Sequence, residues 1–96
     1  MAELDPKLAR TLIATLRKAA LTADHRGNSV AWREERDRWV DRLDPSFGAP
    51  ELAYDDVRAL VVFLGDSAPS RESRMTAAEW STSVDAVVTR LLSALR

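Results

Sequence analysis

The sequence has no cysteine and a single histidine, His25. Disulfides, cysteine-containing zinc sites and thiol catalysis are therefore excluded. The longest apolar run, residues 59–64, is far shorter than the roughly 20 residues that span a bilayer. The first residues show neither the basic nor the apolar region of a signal peptide. We therefore predict no membrane association. Because a cysteine-free core suits a reducing compartment, we also predict a cytoplasmic location.

An excess of charge of either sign is also lacking. Fourteen basic side chains stand against fifteen acidic ones, which gives a net charge of −1 at neutral pH. Proteins that bind polyanions without specificity need a net basic surface, so this balance makes nucleic acid an unexpected partner. Arginine and alanine are abundant while lysine is scarce. This bias is typical of GC-rich bacterial genomes, and we expect a bacterial source.

Four stretches show the periodicity of amphipathic helices, and polar segments with proline or glycine separate them. The first covers residues 5–25. Asp5 suits its N-cap, Pro6 its first helical position and Gly27 the position just after its end. The second covers residues 29–43 and ends where an Asp-Pro pair interrupts the pattern.

The third stretch, residues 51–64, is less regular. Its apolar positions follow the i, i+3, i+4, i+7 pattern, but Val62 and Phe63 fall on the opposite side. Residues 59–64 alone also fit a buried strand. No other segment alternates in the manner of a strand that would pair with it, so the sequence predicts a helix.

The fourth stretch, residues 76–95, has the strongest local signal. Thr76 and Glu79 have the spacing of a capping box, and Met75 and Trp80 that of a hydrophobic staple. The positions predicted to be buried are Trp80, Val84, Val87, Val88, Leu91, Leu92 and Leu95.

Ninety-six residues suffice for one domain, which we assign to residues 1–96. Amphipathic helices of this length bury their apolar faces best against one another. The predicted fold class is therefore all-α, a small four-helix bundle with helices at 5–25, 29–43, 51–64 and 76–95.

Patterns for catalysis or metal binding are weak. His25 has no nucleophile signature near it, and a position at the end of a helix explains it equally well. Glu51, Asp55 and Asp56 lack the spacing of a calcium loop. Residues 65–67, Gly-Asp-Ser, invite comparison with the serine that carries phosphopantetheine in carrier proteins, but no amphipathic helix follows Ser67 directly. We predict no catalytic residue, no metal and no cofactor.

The second helix contains the one unusual pattern. Trp32, Trp39, Val40 and Leu43 form a narrow apolar stripe, and Arg36 lies within it, about 40° from Trp32 around the helix axis. An unpaired buried guanidinium would be very costly. Two explanations are open. In the first, Arg36 pairs inside the protein, with Glu51, Asp55 or Asp56, or packs its stem on a tryptophan. In the second, the stripe meets another chain, since Trp and Arg are enriched at binding hot spots.

The leading hypothesis is a non-catalytic protein-interaction module, such as an adaptor, an inhibitor or immunity-type protein, or a small subunit of a complex. A homodimer is the first expectation for its assembly. One alternative is a small DNA-binding regulator that uses Arg33 and Arg38. A second alternative is a small helical enzyme or carrier protein. The predicted partner-binding residues are Trp32, Arg33, Arg36, Trp39 and Val40.

Overall fold

Four α-helices account for most of residues 2–21 and 29–95, which are the residues that the computed structural model describes. They are α1 (Pro6–Arg17), α2 (Ser29–Leu43), α3 (Tyr54–Gly65) and α4 (Ala77–Ser93). Each overlaps one of the four predicted helices, so the prediction of a mostly helical protein is confirmed. Within the described ranges, no helix combines the length and the apolar character that crossing a bilayer requires.

The prediction of an all-α fold is wrong in one respect, because short strands are present. Strand β1 (Ala2–Glu3) pairs antiparallel with β3 (Glu51–Leu52), and β2 (Ala19–Leu21) pairs antiparallel with β4 (Ser67–Pro69). Two 3₁₀ turns complete the described elements, at Pro45–Phe47 and Arg71–Ser73. Residues 59–64, for which a buried strand was the alternative, lie within α3, so the prediction of a helix there is confirmed.

The first helix is shorter than predicted. Its last turn tightens at Lys18, whose N–H donates to the carbonyl oxygens of Ala14 and Thr15 at 3.3 and 3.1 Å. The Lys18 carbonyl then accepts the N–H of Ser70 at 2.7 Å, which begins the pairing of β2 with β4. Tertiary pairing thus outweighs the helix propensity of the alanines in β2. Residues 22–25 and Gly27 lie outside the described residues.

The third helix begins later than predicted, at Tyr54 instead of residue 51. Residues 51 and 52 form β3, and the Leu4 N–H donates to the Pro50 carbonyl oxygen at 2.8 Å. Leu4 and Leu52 are both fully buried. The pairing of β1 with β3 therefore satisfies backbone groups while it brings two leucines into the core.

The predicted N-terminal caps of α1 and α4 are confirmed. The Asp5 carboxylate accepts the Lys7 N–H at 2.7 Å. At the start of α4, the Thr76 hydroxyl accepts the Glu79 N–H at 3.1 Å, and the Glu79 carboxylate accepts the Thr76 N–H at 3.2 Å. Both caps satisfy N–H groups that have no partner within the helix.

One hydrophobic core draws on all four helices. Helix α1 packs against α2 and α4, and α3 packs against α4. Two apolar residues lie elsewhere than the periodicity predicted: Phe63 is buried, whereas Leu92 is 47% exposed. The largest fully buried side chains are Leu4, Leu12, Leu16, Leu43, Leu52, Val57, Leu60, Leu64 and Leu91.

Replacing Thr76 by alanine tests the cap of α4. We expect T76A to lower the free energy of unfolding by about 1 kcal/mol, because the Glu79 N–H loses its acceptor. Urea denaturation followed by circular dichroism measures this change. The matched control is T82A, which removes a threonine from the exposed face of the same helix and should leave stability equal or slightly higher. Equal losses in the two variants would contradict a capping role.

Candidate functional site

The five residues predicted to bind a partner separate into a buried and an accessible group. Trp39 is 7% exposed and belongs to the core. Trp32, Arg36 and Val40 are half-buried, and Arg33 is exposed. The first half of α2 therefore reaches the surface at Trp32, Arg33 and Arg36. In its second half, Trp39 is buried in the core.

Trp32 lies between the core and the surface. Its ring stacks on that of Phe63 from α3, with centroids 5.5 Å apart and planes 21° from parallel. The Arg36 guanidinium lies 5.5 Å from the centroid of the Trp32 ring. A cation–π contact of this kind contributes about 0.5–1 kcal/mol at an exposed site. Trp32 is thus held in place from two sides while part of its ring stays accessible.

Arg36 does not pair with the acids that the sequence analysis named. Its Nε and Nη2 atoms donate to one carboxylate oxygen of the neighbouring Asp37, at 3.2 and 3.1 Å. Its side chain is 27% exposed, so the charge keeps contact with solvent. Of the internal arrangements predicted for Arg36, contact with a tryptophan is observed, although it is the guanidinium and not the stem that lies beside the Trp32 ring. The alternative in which the stripe meets another chain stays a prediction. Pairing with Glu51, Asp55 or Asp56 is wrong.

Arg42 takes the partner that was expected for Arg36. Its two terminal nitrogens donate to the two carboxylate oxygens of Asp56 at 3.0 and 2.8 Å, which joins the end of α2 to the start of α3. The Arg42 guanidinium also lies 5.3 Å from the Trp39 ring centroid. Hydrogen bonding from Arg42 is the main cause that lowers the pKa of Asp56, and the Ala53 N–H adds to it at 3.2 Å. This ion pair has a structural role.

A surface cleft of about 390 Å³ lies beside the accessible part of α2. We call it the arginine cleft. Its walls come from the last turn of α1, strand β2, the first half of α2 and the Arg71–Ser73 turn. Among the lining residues that the structure describes, four are arginines and one is a glutamate, so positive charge is in excess by three there. The charged and aromatic lining residues are Arg17, Trp32, Arg33, Arg36, Arg71 and Glu72.

Val40 borders a different cleft, of about 510 Å³, between α1 and the end of α2. Among its described lining residues, Arg10 and Arg17 are matched in number by Asp41 and Asp44, and Arg17 lines both clefts. Asp44 caps the Pro45–Phe47 turn by accepting the Ser46 N–H at 2.9 Å. Hydrogen bonding with Ser46 lowers the pKa of Asp44, and the charge of Arg17 acts in the same direction. Val40 and Trp32 therefore line different clefts that have Arg17 in common, and the predicted role of Val40 in partner binding stays a prediction.

The remaining candidate for chemistry, Ser67, is buried in β4. Its hydroxyl donates to the Phe63 carbonyl oxygen at 2.7 Å, and its own carbonyl accepts the Trp80 indole N–H at 3.1 Å. A serine that carries a prosthetic group must be accessible, so this position does not suit that role. In the described parts of the chain, no three potential metal-ligating side chains come together. His25 lies outside the described residues.

Comparison of the chain with protein-family models, with curated proteins and with solved structures finds no match. The site must therefore be interpreted from its own residues. Sequence reasoning identified Trp32, Arg33 and Arg36 but missed Arg17 and Arg71. Arg17 belongs to the polar face of α1 and Arg71 to a predicted loop, and neither position carries a local signal that would place it beside α2.

The Arg42–Asp56 pair predicts a specific acid dependence. The folded protein lowers the pKa of Asp56 below its ordinary value of 3.8. Its stabilising contribution is therefore fully present above that value and is lost as the pH falls through the lowered pKa. We expect D56N to reduce the slope of the free energy of unfolding against pH below pH 3.8, because the residue no longer titrates. Urea denaturation at a series of acidic pH values measures this slope.

The matched control is D55N, which removes a carboxylate from the same turn of α3 but leaves the contact between Arg42 and Asp56. It should keep the wild-type slope below pH 3.8. If both variants retain that slope, Asp56 is not its source.

Proposed function

We propose that this chain is a non-catalytic protein-interaction module that binds its partner through the arginine cleft. The observation that carries the proposal is a half-buried tryptophan on the wall of a cleft that arginines surround. Tryptophan and arginine are the residues most enriched among those that dominate binding energy. The proposal includes a cytoplasmic location, which the absence of cysteine supports.

Trp32 has the properties of an anchor for a partner. Its stacking on Phe63 and its contact with Arg36 restrict the ring before a partner arrives. An anchor that is already ordered loses little conformational entropy on binding. Arg33 is exposed beside it and adds hydrogen-bond donors. Trp39 supports the site from the core, and Val40 belongs to the second cleft.

A non-catalytic role is supported by the structural use of the polar groups that were candidates for chemistry. The Ser67 hydroxyl bonds to a helix carbonyl and Asp56 pairs with Arg42. Each contact satisfies a group inside the fold. The proposal includes an adaptor, an inhibitor or a subunit of a complex, and a second copy of the chain is one possible partner.

Site-specific crosslinking tests this proposal. A photoreactive residue at position 72 places the probe on the rim of the arginine cleft, and the same residue at exposed position 58 on α3 is the control. In cells of the native host, position 72 should yield a defined protein adduct, or an adduct of twice the chain mass, that position 58 does not yield. Adducts are identified by mass spectrometry.

Two substitutions show whether the adduct depends on the cleft. W32A should abolish the adduct, but loss of a half-buried ring can also disturb folding. R33E replaces an exposed side chain, so it should weaken the adduct without that effect on folding. Circular dichroism verifies that both variants fold. The proposal would be overturned if position 72 gave no adduct and sedimentation showed a monomer at all concentrations.

A further inference from the structure

We infer that the partner segment bound by the arginine cleft is an acidic peptide, with carboxylates for the guanidinium groups and an apolar stem for the Trp32 ring. This inference rests on the proposed function and adds the chemistry of the partner. The cleft combines one accessible aromatic surface with a local excess of positive charge in a chain whose net charge is −1.

The guanidinium groups of the cleft come from separate parts of the chain. Arg17 ends α1, Arg33 and Arg36 lie one turn apart on α2, and Arg71 begins a 3₁₀ turn. Like charges that converge in a fold repel one another, so this arrangement costs stability unless a counter-charge is bound. Glu72 is the single carboxylate among the described lining residues. Outside the cleft, Asp37 engages Arg36 and the charge of Arg17 acts on Asp44, so Arg33 and Arg71 are the guanidinium groups with the least compensation.

Three of the four arginines keep their donors available. Arg36 is engaged by Asp37, but Arg17, Arg33 and Arg71 form no salt bridge with any carboxylate in residues 2–21 or 29–95. A guanidinium presents several donors in a planar fork that matches a carboxylate. The cleft therefore presents guanidinium donors from more than one of its walls, and the Trp32 ring lies among these arginines.

The surroundings of the cleft favour a short acidic peptide over a nucleic acid. Glu34, Glu35 and Asp37 are exposed on α2 but do not line the cleft. A continuous phosphate backbone that leaves the cleft along α2 would meet these carboxylates and be repelled. A short flexible peptide needs only two or three carboxylates inside a cleft of about 390 Å³, and its remaining residues are free to leave the cleft on the side away from α2.

Titration with a defined peptide tests the inference on the intact chain. The probe is acetylated hexaglutamate, and hexaglutamine is the uncharged control. The signal is the indole N–H resonance of Trp32 in a ¹⁵N-labelled sample, which a W32F variant assigns. We expect this resonance to shift saturably with hexaglutamate and not with hexaglutamine. The resonances of the buried Trp39 and Trp80 should shift less.

Charge variants show whether the cleft is the binding site. R33Q/R71Q removes two exposed guanidinium groups of the cleft and should weaken hexaglutamate binding about tenfold. R58Q/R90Q removes the same charge from exposed positions on α3 and α4 and should leave the affinity unchanged. Equal weakening in both variants would overturn the inference, because binding would then follow overall charge alone.

Other outcomes also contradict an acidic peptide. The inference would be overturned if the Trp32 resonance did not shift at millimolar hexaglutamate, or if it responded equally to hexaglutamine. Tighter binding of octathymidylate or inorganic phosphate at the same ionic strength would overturn it as well. So would a dimer that R33Q/R71Q dissociates, because a second copy would then occupy the cleft.

A crosslinked partner without hexaglutamate binding would refute this inference alone. Binding of hexaglutamate without any adduct would refute the proposed function alone.

Discussion

Antiparallel pairing of β2 with β4 places Ala19 opposite Pro69 and thereby joins the end of α1 to the segment before α4. The Ser70 N–H donates to the Lys18 carbonyl oxygen, and hydrogen-bonded residue pairs alternate with non-bonded ones along such a ladder. Pro69 therefore falls at a non-bonded position, where its missing N–H costs nothing. The carbonyl of Ser67 likewise points away from β2, which leaves it free to accept the Trp80 indole N–H. The same pairing aligns Arg17 and Arg71 along one side of α2 and so forms the arginine cleft.

A chain of contacts connects this strand pair to Trp32. Trp80 bonds to the Ser67 carbonyl, the Ser67 hydroxyl bonds to the Phe63 carbonyl, and the Phe63 ring stacks on Trp32. Trp39 and Trp80 are buried, but Trp32 is placed against the edge of the core. The three tryptophans have the same side chain, so their different roles come from the residues that pack around them. Phe63 holds one face of the Trp32 ring, and the rest of the ring borders the cleft.

The parts of the fold that were predictable from sequence are those that local chemistry decides. Asp5 and the pair Thr76 and Glu79 cap their helices through residues two or three positions away, so a short window contains the whole interaction. The strands depend on partners far along the chain, and Ala19 and Ala20 have a helix propensity that conceals them. The same limit applies to the site. Periodicity located Arg36 beside Trp32, but it could not show that Asp56 pairs with Arg42 instead.

The contrast between Arg42 and the arginines of the cleft gives the clearest indication of function. Arg42 has a bidentate carboxylate and an aromatic ring, so its charge is used within the fold. Arg33 and Arg71 are exposed and lack a carboxylate partner among the described residues, yet they share a cleft with two further guanidinium groups. Folding alone does not require this concentration of exposed positive charge in one cleft. Under the proposed function, an acidic partner would supply the counter-charge that these guanidinium groups lack within the described residues, and its binding would stabilise the folded chain.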